Sequence, residues 1–411
     1  MEKHKNIPQL RFPDFEGEWE KKKLCEVGNF IGGGTPSTQS STFWKGEIPW
    51  ISSSDLLEDN IFEIKATRFI TSEAVANSAT KLVPPNSVLI VSRVGVGKVA
   101  VNKVSLCTSQ DFTNLIPNSD NFIFLAYLIK QKTNSLLGFN QGTSIKGFVK
   151  SDLEALEIHL PSLTEQSRIA SFLTAIDKKI TELKRKKTLL EQYKKGVMRK
   201  LFSQDLRFKD DDGKEFPKWE KKKLGSVGET YNGLTGKTQD DFGTGKPYIQ
   251  YKQIFDDAKI DITRFDYVKI NGKEKQSKVK YGDVFFTTSS ETPWEVGFSS
   301  VLLDNVEDVY LNSFCFGFRI NYFSELNPEF AQYLFRSPIF RKDVIKLSQG
   351  STRYNISKIG LMKIEILLPS EKEQVKIANF LSAIDDKINH TQIQIQQTEH
   401  YKKGLLQQMF C

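Results

Sequence analysis

The sequence is poor in the residues from which metal and disulfide sites are built. Its 411 residues include four cysteines and four histidines. Cys25, Cys107, Cys315 and Cys411 form no close pair, and no HxxxH or HExxH pattern occurs. Zinc sites require closely spaced Cys or His ligands, and small disulfide frameworks require several cysteines at short spacings. We therefore expect no metal site, and we assign all eight side chains structural or incidental roles.

Long apolar segments are also missing from the sequence. No run approaches the ~20 apolar residues that a membrane-spanning helix needs, and the opening residues MEKHKNIPQLRF lack the apolar core of a signal peptide. The chain is 26% charged and 39% hydrophobic, as globular proteins are. These features exclude an integral membrane protein and favour a cytoplasmic one, with no membrane partner.

The net charge of +8 is concentrated in one segment. Residues 164–202 contain eleven Lys or Arg against four Asp or Glu, whereas residues 371–411 contain five of each kind. A basic surface permits a polyanionic partner such as nucleic acid. The alternative is an ordinary solvated helix face.

The sequence contains an internal repeat, and a repeat is interpreted before other patterns because it determines the architecture. WEKKKL occurs at Trp19–Leu24 and again at Trp219–Leu224, and residues 141–180 match residues 349–388 at 20 of 40 positions. Between these matches IPWI aligns with KPYI at an offset of 198 residues, and SVLIVS aligns with DVFFTT at an offset of 196. The repeated unit is a mixed domain of about 160 residues followed by a helix of about 40, since the framework is shared while the loops differ.

The two helical segments carry apolar residues at heptad spacing, interrupted at Lys187 and Lys194 in the first. Each follows a proline, Pro161 or Pro369, as a helix start does. About 38 residues at 1.5 Å each give a rod of ~57 Å. We predict that the helices pair as an antiparallel coiled coil and give the chain a pseudo-two-fold axis. The predicted seam contains Ile169, Leu173, Ile176, Ile180, Leu183, Leu190, Ile377, Leu381, Ile384, Ile388 and Ile395.

The repeated domains are predicted to be α+β, each a mixed α/β domain with a strand-rich core. SVLIVSR, KVAVNKV, DVFFTTS and FGFRI have the β-branched and aromatic composition of strands. NFIFLAYLIKQK (121–132) and PEFAQYLFRSPIFRKDVIKL (328–347) are predicted to be amphipathic helices.

Three motifs resemble parts of enzyme sites without completing them. FIGGG at Phe30–Gly34 fits a cofactor loop of S-adenosylmethionine methyltransferases, but Pro36 favours a turn where that loop opens a helix. VGVGKVA at Val94–Ala100 lacks the flanking Gly and Ser/Thr of a phosphate loop. DLLEDNIFEIK at Asp55–Lys65 contains an ExK string that is common by chance in a charged chain. We assign no catalytic residue.

The domain loops instead mix Ser, Thr, Asn and Gln with basic and aromatic residues, which can bind phosphates and read base edges. For any single residue, an ordinary polar surface loop is an equally good interpretation. The candidate DNA contacts are Thr35, Ser37, Trp50, Ser53, Arg93, Lys98, Ser144, Lys146, Lys237, Tyr248, Tyr251, Lys252, Ser290, Trp294, Arg353 and Tyr354.

The order of these motifs resembles the specificity subunit of type I restriction–modification enzymes over essentially the whole chain. The resemblance rests on GGGTPS followed by WKGEIPWISSSDL, and on LPSLTEQSRIASFLTAID, whose second copy is LPSEKEQVKIANFLSAID. The second unit has NGLTGKTQDDFGTGKPYI where the first has GGGTPS, which suits a recognition domain reading a different half-site.

The resemblance implies four segments: recognition domains at 1–160 and 204–368, and spacer helices at 161–203 and 369–411. It implies a non-catalytic subunit that binds double-stranded DNA and reads a bipartite, asymmetric sequence. Two modification (methyltransferase) subunits would bring S-adenosylmethionine, and restriction/translocase subunits would use ATP and magnesium. The chain itself would need no cofactor. The alternatives are a self-contained DNA methyltransferase or nuclease, and a coiled-coil scaffold without DNA specificity.

Overall fold

The computed structural model describes residues 6–139 and 147–411. Contacts divide the chain into two compact units, Met1–Arg185 with Gln392–Cys411, and Lys186–Thr391. Each unit therefore contains one α/β domain together with parts of both long helices. Within residues 6–139 and 147–411, no helix is long and apolar enough to cross a membrane.

The domain of unit 1 consists of two four-stranded sheets and a two-stranded ribbon. The sheet orders are β2-β9-β6-β7 and β4-β3-β8-β5, and the ribbon is β1-β10. The strands are β1 (Glu20–Lys23), β2 (Gly28–Gly32), β3 (Ile48–Ile51), β4 (Arg68–Ile70), β5 (Leu82–Val83), β6 (Val88–Val91), β7 (Val99–Val101), β8 (Leu106–Thr108), β9 (Phe112–Pro117) and β10 (Glu157–Leu160). The helices are α1 (Ser72–Ala76), α2 (Phe122–Phe139), α3 (Lys150–Glu154) and the long α4 (Leu163–Phe202).

The domain of unit 2 repeats this scaffold and adds a second ribbon. Its sheets are β12-β19-β15-β17 and β14-β13-β18, and its ribbons are β11-β21 and β16-β20. The strands are β11 (Glu220–Lys223), β12 (Gly228–Asn232), β13 (Phe242–Ile249), β14 (Asp266–Val268), β15 (Val284–Thr287), β16 (Ser289–Ser290), β17 (Ser299–Val301), β18 (Tyr310–Leu311), β19 (Cys315–Ile320), β20 (Tyr354–Asn355) and β21 (Glu365–Leu368). The helices are α5 (Leu224–Val227), α6 (Tyr251–Asp256), α7 (Pro328–Leu334), α8 (Pro338–Lys346), α9 (Lys358–Met362) and the long α10 (Glu371–Gln408).

The predicted α+β class is confirmed, and the four quoted β-rich stretches form β6, β7, β15 and β19. The single helix predicted over residues 328–347 is wrong, because the structure divides it into α7 and α8. Pro338 has no backbone N–H to continue the first helix, and the Ser337 hydroxyl accepts a hydrogen bond from the Phe340 amide at 3.3 Å. The Ser-Pro pair therefore ends one helix and begins the next.

The hexapeptide WEKKKL has the same structural role in both units. Trp19 is buried against Phe124 and Phe410, and Trp219 against Phe202 and Phe330. The EKKK residues then form β1 and β11, which pair with β10 and β21. The four residues EKKK show the same pattern of mostly exposed side chains in both ribbons, while the tryptophan before them and the leucine after them are buried in the core. The repeated string is thus a scaffold element.

The end of each long helix completes the core of a domain. In unit 1 the C-terminal residues Leu405, Met409 and Phe410 belong to the same apolar cluster as Trp19 and Leu173. In unit 2 the equivalent residues Val197, Leu201 and Phe202 pack in the cluster that contains Trp219 and Leu381. Of the predicted seam residues, Leu183, Leu190 and Ile388 are half-buried and the others are buried. The seam residues near the N-terminus of each long helix pack against strands as well as against the end of the other helix.

Ion pairs fix how the helices meet within each unit, and the pair of unit 1 is buried. In unit 1 the Lys402 ammonium lies 2.5 Å from Asp177, which also accepts a 2.6 Å hydrogen bond from the Tyr127 hydroxyl. Burial, reinforced by Asp177, raises the pKa of Tyr127, so its hydroxyl stays protonated and donates. Lys184 meets Glu399 at 2.7 Å. The contact positions rise along α4 as they fall along α10, which confirms the antiparallel pairing in this unit.

Unit 2 contains the same constellation with more solvent around it. Lys194, which the heptad pattern marks as a polar interruption, lies 2.5 Å from Asp385, and the Tyr333 hydroxyl donates to the same carboxylate at 2.9 Å. The side chains of Lys194 and Asp385 are 20% and 32% exposed, compared with 9% and 5% for Lys402 and Asp177. The two pairs are therefore matched in chemistry and different in burial.

The tripeptide LRF occurs at Leu10–Phe12 and again at Leu206–Phe208, and its arginine makes the same contact in both units. Arg11 donates to both carboxylate oxygens of Glu165 at 2.8 Å, and Arg207 donates to those of Glu373 at 3.2 and 2.7 Å. Both carboxylates lie in the first turn of a long helix. Bidentate pairs of this kind fix geometry as well as adding energy, so the segment entering each domain is tied to the start of its own helix.

We expect Lys402→Met to destabilise unit 1 by about 3–5 kcal/mol, because it leaves the Asp177 carboxylate buried without its cation. Lys194→Met should cost unit 2 clearly less, since water reaches Asp385. Hydrogen exchange of amides in residues 124–129 and 330–334 measures each unit separately, which suits a chain that contains two cooperative units. Lys178→Met, at an exposed i,i+4 pair, is the control. Equal losses at Lys402 and Lys194 would contradict the dependence on burial.

Candidate nucleic-acid interface

The connections that follow β6 and β15 differ between the two domains in length and chemistry. Val88 in β6 pairs with Val101 and Leu115, and Val284 in β15 pairs with Val301 and Phe318, so these strands occupy the same place. The connection that follows β6 comprises residues 92–98, and the one that follows β15 comprises residues 288–298. We call them the first and the second recognition loop.

The second recognition loop forms one wall of an open cavity of about 440 Å³. Helix α6 contributes Tyr251 and Lys252, the loop contributes Ser290, and Arg353 also lines the cavity. The structure thus brings together four of the residues predicted to contact DNA. Trp294 and Phe314 nearby are 67% and 63% exposed. The remaining lining residues are Phe255, Ser289, Glu291, Glu295 and Phe314.

The buried Arg341 and the half-buried Arg336 hold the walls of this cavity. Arg341 donates to the backbone carbonyls of Gly297, Val296 and Trp294 at 2.6, 2.7 and 2.9 Å. Arg336 donates to Ser299 and to the carbonyl groups at the end of α6, including Ile254 at 2.8 Å and Asp257 at 2.7 Å. Burial lowers the pKa of each guanidinium to about 10, so both remain charged at neutral pH.

The ring of Phe298 lies beside both guanidinium groups, 4.5 Å from Arg341 and 5.2 Å from Arg336. Cation–π contacts of this kind strengthen when they are desolvated. The backbone of residues 294–298 is therefore held in one conformation. The Tyr251 hydroxyl adds a 2.6 Å hydrogen bond to the Ser289 carbonyl and ties α6 to the start of the loop.

The first recognition loop is shorter, and its two basic residues have different surroundings. Arg93 is exposed. Lys98 donates to the carbonyls of Ser53 and Leu56, both at 3.0 Å, and so holds the turn that follows β3. Lys130, at the position of Arg336, donates to the Glu58 carbonyl. Arg93 is thus the better placed of the two candidates for contact with DNA.

The remaining candidates of the first domain lie around that turn or outside the described residues. Thr35 is half-buried and hydrogen-bonded to Gln110, and the exposed Ser37 accepts from the Trp44 indole at 3.1 Å through its carbonyl. Ser53 is half-buried. Ser144 and Lys146 lie outside the described residues. In the second domain, Tyr354 is half-buried in the β16-β20 ribbon.

Three of the residues predicted to contact DNA have side chains that are almost inaccessible to solvent in this structure. Trp50 is 3% exposed and donates to the Gly34 carbonyl at 2.9 Å. Tyr248 is 6% exposed in an apolar cluster. The Lys237 side chain is 3% exposed and lies 2.6 Å from Glu274. Their aromatic or basic type suggested an interface, whereas tertiary packing buries the two aromatic rings in apolar clusters and engages the Lys237 ammonium in an ion pair.

The glycine motifs have packing roles. A Cβ on Gly33 would lie 1.9 Å from the Ser109 carbonyl oxygen, and one on Gly233 would lie 2.0 Å from that of Asn312. Glycine is therefore needed at this equivalent position in both domains, because the chain passes against backbone. VGVGKVA leads into strand β7 and not into a helix. Across the described residues, no group of three His, Cys, Asp or Glu is arranged to hold a metal ion.

Sequence reasoning missed Glu291, Arg336 and Arg341. Glu291 stands in a stretch, ETPWEVG, that differs completely from the first copy, and that difference was the available signal. Arg336 and Arg341 lie in a helical stretch whose pattern indicated only an amphipathic face. Their carbonyl acceptors are at least 37 residues away in sequence, so no local pattern could identify them.

We expect Arg341→Lys to lower the free energy of opening of residues 294–297 by roughly 2–4 kcal/mol, because one ammonium cannot satisfy three buried carbonyls in the same geometry. Hydrogen exchange of these amides is the measurement, with thermal unfolding of unit 2 alongside. Lys342→Met, at the exposed neighbour, is the matched control. Unchanged protection of the loop in Arg341→Lys would show that the guanidinium does not hold it.

Comparison with known proteins agrees with this architecture. The family model described as "Type I restriction modification DNA specificity domain" matches residues 16–192 and again 217–398. The MjaIX specificity subunit of Methanocaldococcus jannaschii is 32% identical over 60% of this chain and 61% of its own length. The MjaVIII specificity subunit of the same organism is 25% identical over 98% of this chain and 94% of its own length.

A solved structure shares the fold at low sequence identity. The type I restriction–modification S subunit from M. genitalium matches with a TM-score of 0.59 and 14% identity, over 98% of this chain and 99% of that one. The family model covers most of the chain and matches once in each repeat. The chain therefore belongs to the family of type I restriction–modification DNA specificity subunits.

Proposed function

We propose that this chain directs a type I restriction–modification enzyme to a bipartite, asymmetric DNA sequence, with one half-site read by each recognition domain. The observation that carries the proposal is the contrast between a repeated scaffold and unlike loops. The sheet orders β2-β9-β6-β7 and β12-β19-β15-β17 correspond strand for strand, whereas the recognition loops share neither length nor charge. Contacts to phosphates position a protein on DNA, whereas contacts to base edges specify the sequence. Unlike loops on a shared scaffold therefore suit two domains that read different half-sites.

The exposed basic and polar side chains around the recognition loops are the proposed DNA contacts. Arg93 in the first domain, and Lys252 and Arg353 in the second, are exposed and carry the charge that phosphates or guanine edges attract. Ser290 lines the same cavity and pairs with Tyr354 in the ribbon, and Trp294 is exposed in the second recognition loop. Thr35, Ser37 and Ser53 remain weaker candidates.

We assign the chemistry to other subunits. Two modification subunits would carry S-adenosylmethionine, and restriction/translocase subunits would use ATP and magnesium. The repeated surface supports docking of two like partners, since β1 and β11 have the same sequence and the same pattern of exposure. A partner that binds one of these ribbons finds an equivalent one in the other unit.

The long helices are proposed to set the distance between half-sites. Helix α4 has 40 residues, which corresponds to a length of ~60 Å. Half-sites read from one side of the duplex lie about one turn apart, ~34–36 Å. Helix length would then determine the spacer, and the loops would determine the half-sites.

Replacement of residues 204–368 by the same segment of another family member should change one half of the recognised sequence and leave the other intact. The hybrid is co-expressed with its modification subunit, and methylated bases are mapped across genomic DNA. The reciprocal replacement of residues 1–160 is the control and should change the opposite half. The chain without the modification subunit should methylate nothing. A hybrid that altered both halves would contradict one domain per half-site.

Deletion of one heptad from each helix, residues 183–189 and 391–397, should shorten the spacer and preserve both half-sites. Seven residues are ~10 Å of helix, equivalent to about three base pairs. The deletions leave the pairs Lys402–Asp177 and Lys194–Asp385 in place. The measurement is again the methylated motif. A changed half-site sequence, or an unchanged spacer, would count against the helices as a ruler.

A further inference from the structure

The second recognition domain presents a two-stranded ribbon with an acidic and a basic residue at its end. In this antiparallel ribbon Ser289 pairs with Asn355, and Ser290 pairs with Tyr354. The ribbon ends at the second of these pairs, where Glu291 follows Ser290 and Arg353 precedes Tyr354. Both residues are exposed, and both line the cavity described above. Glu291 and Arg353 therefore lie at the same end of the ribbon, one on each of its two segments.

The structure assigns no partner to either of these two charged groups among the residues it describes. The neighbouring carboxylate differs: Glu295 accepts from the hydroxyls of Thr292 at 2.7 Å and Ser290 at 3.2 Å. Glu295 therefore shapes the loop. Glu291 remains available as an acceptor, and Arg353 remains available as a donor.

A carboxylate beside a guanidinium matches one base pair in the major groove. Cytosine offers the N4 amino donor, which Glu accepts, and its guanine partner offers O6 and N7, to which Arg donates. The major groove also admits a two-stranded ribbon. An A·T pair fits less well, because adenine places an acceptor beside its amino group and thymine presents a methyl group.

We propose that Glu291 and Arg353 together read one C·G base pair in the half-site of the second domain, with the β16-β20 ribbon in the major groove. This inference rests on the proposed function, since it supposes that the second domain reads a half-site. It adds the reading residues and the base pair that they require.

The surroundings of the ribbon are built to hold this arrangement before DNA arrives. Arg341 fixes the loop beyond Glu291 through three carbonyls, and Tyr251 fixes the residue at its start. A reader that is already ordered loses less entropy on binding. The Glu291 carboxylate would repel the DNA phosphates, and an amino group on the base would compensate this cost. A base without an amino group at that position would leave the charge unpaired, so Glu291 also disfavours a wrong base.

The first domain has no equivalent pair in its sequence. Gly95 stands where Glu291 stands in the second domain, at the offset of 196 that relates β6 to β15, and Ile145 aligns with Arg353 at the offset of 208. The C·G reading is therefore confined to one half of the bipartite sequence.

The test is motif mapping with Glu291→Gln, Arg353→Gln and the matched control Glu307→Gln, an exposed carboxylate of the same domain. Each variant is co-expressed with the modification subunit, and methylated sites are sequenced. Wild type should give a fixed C·G pair in the half-site of the second domain. Each reading variant should lose about 5- to 150-fold discrimination at that same pair. The other half-site should not change, and Glu307→Gln should match wild type.

The outcomes separate this inference from the function on which it rests. If wild type gives no bipartite motif, the proposed function fails. If wild type gives a bipartite motif but both reading variants leave it unchanged, or relax two unrelated positions, the inference is overturned alone. The inference is also overturned if the half-site contains no fixed C·G pair, or if Glu307→Gln relaxes the motif equally. Thermal unfolding of each variant checks that these exposed substitutions preserve the fold.

Discussion

The structure depends on one constraint: the apolar core of each unit is closed by a helix end. In unit 1 the ring of Phe410 lies 5.3 Å from Phe124, and in unit 2 Phe202 lies 5.7 Å from Phe330. Burial of such side chains is the main favourable term in folding. The buried Lys402–Asp177 pair adds direction, because a charge taken out of water requires its partner at a defined place. Apolar burial thus supplies the stability, and the ion pair fixes the register.

A scaffold held in this way allows its loops to change. Sheets of the same strand order carry a short loop with Arg93 in one domain, and a longer loop with Glu291 and Trp294 in the other. The longer loop needs additional support, which Arg336 and Arg341 provide through backbone carbonyls. Donation to carbonyls places no demand on the loop side chains. Recognition residues can therefore differ while the arginines hold the same path.

The sequence was most informative where the pattern was long or repeated. The duplication, the two long helices, the α+β class and several strands followed from periodicity and self-alignment. The seam lysine Lys194 was recognised as a polar interruption, but its partner Asp385 was not, because the two are 191 residues apart. The candidate interface was predicted less well. Residue type alone placed Trp50, Tyr248 and Lys237 in it, although all three are buried.

By itself the sequence determined what was copied: heptads, capped helix starts, the WEKKKL strands and the glycines of the close turns are local features that each segment carries with it. The tertiary structure decided which loop residues are free to act. Lys98 donates to the carbonyls of Ser53 and Leu56, whereas Glu291 and Arg353 line one cavity at the end of a ribbon whose two segments are about sixty residues apart in sequence. Whether a polar side chain is available to bind DNA depends on which groups the fold brings within hydrogen-bond distance of it. A local sequence pattern contains no information on that distance.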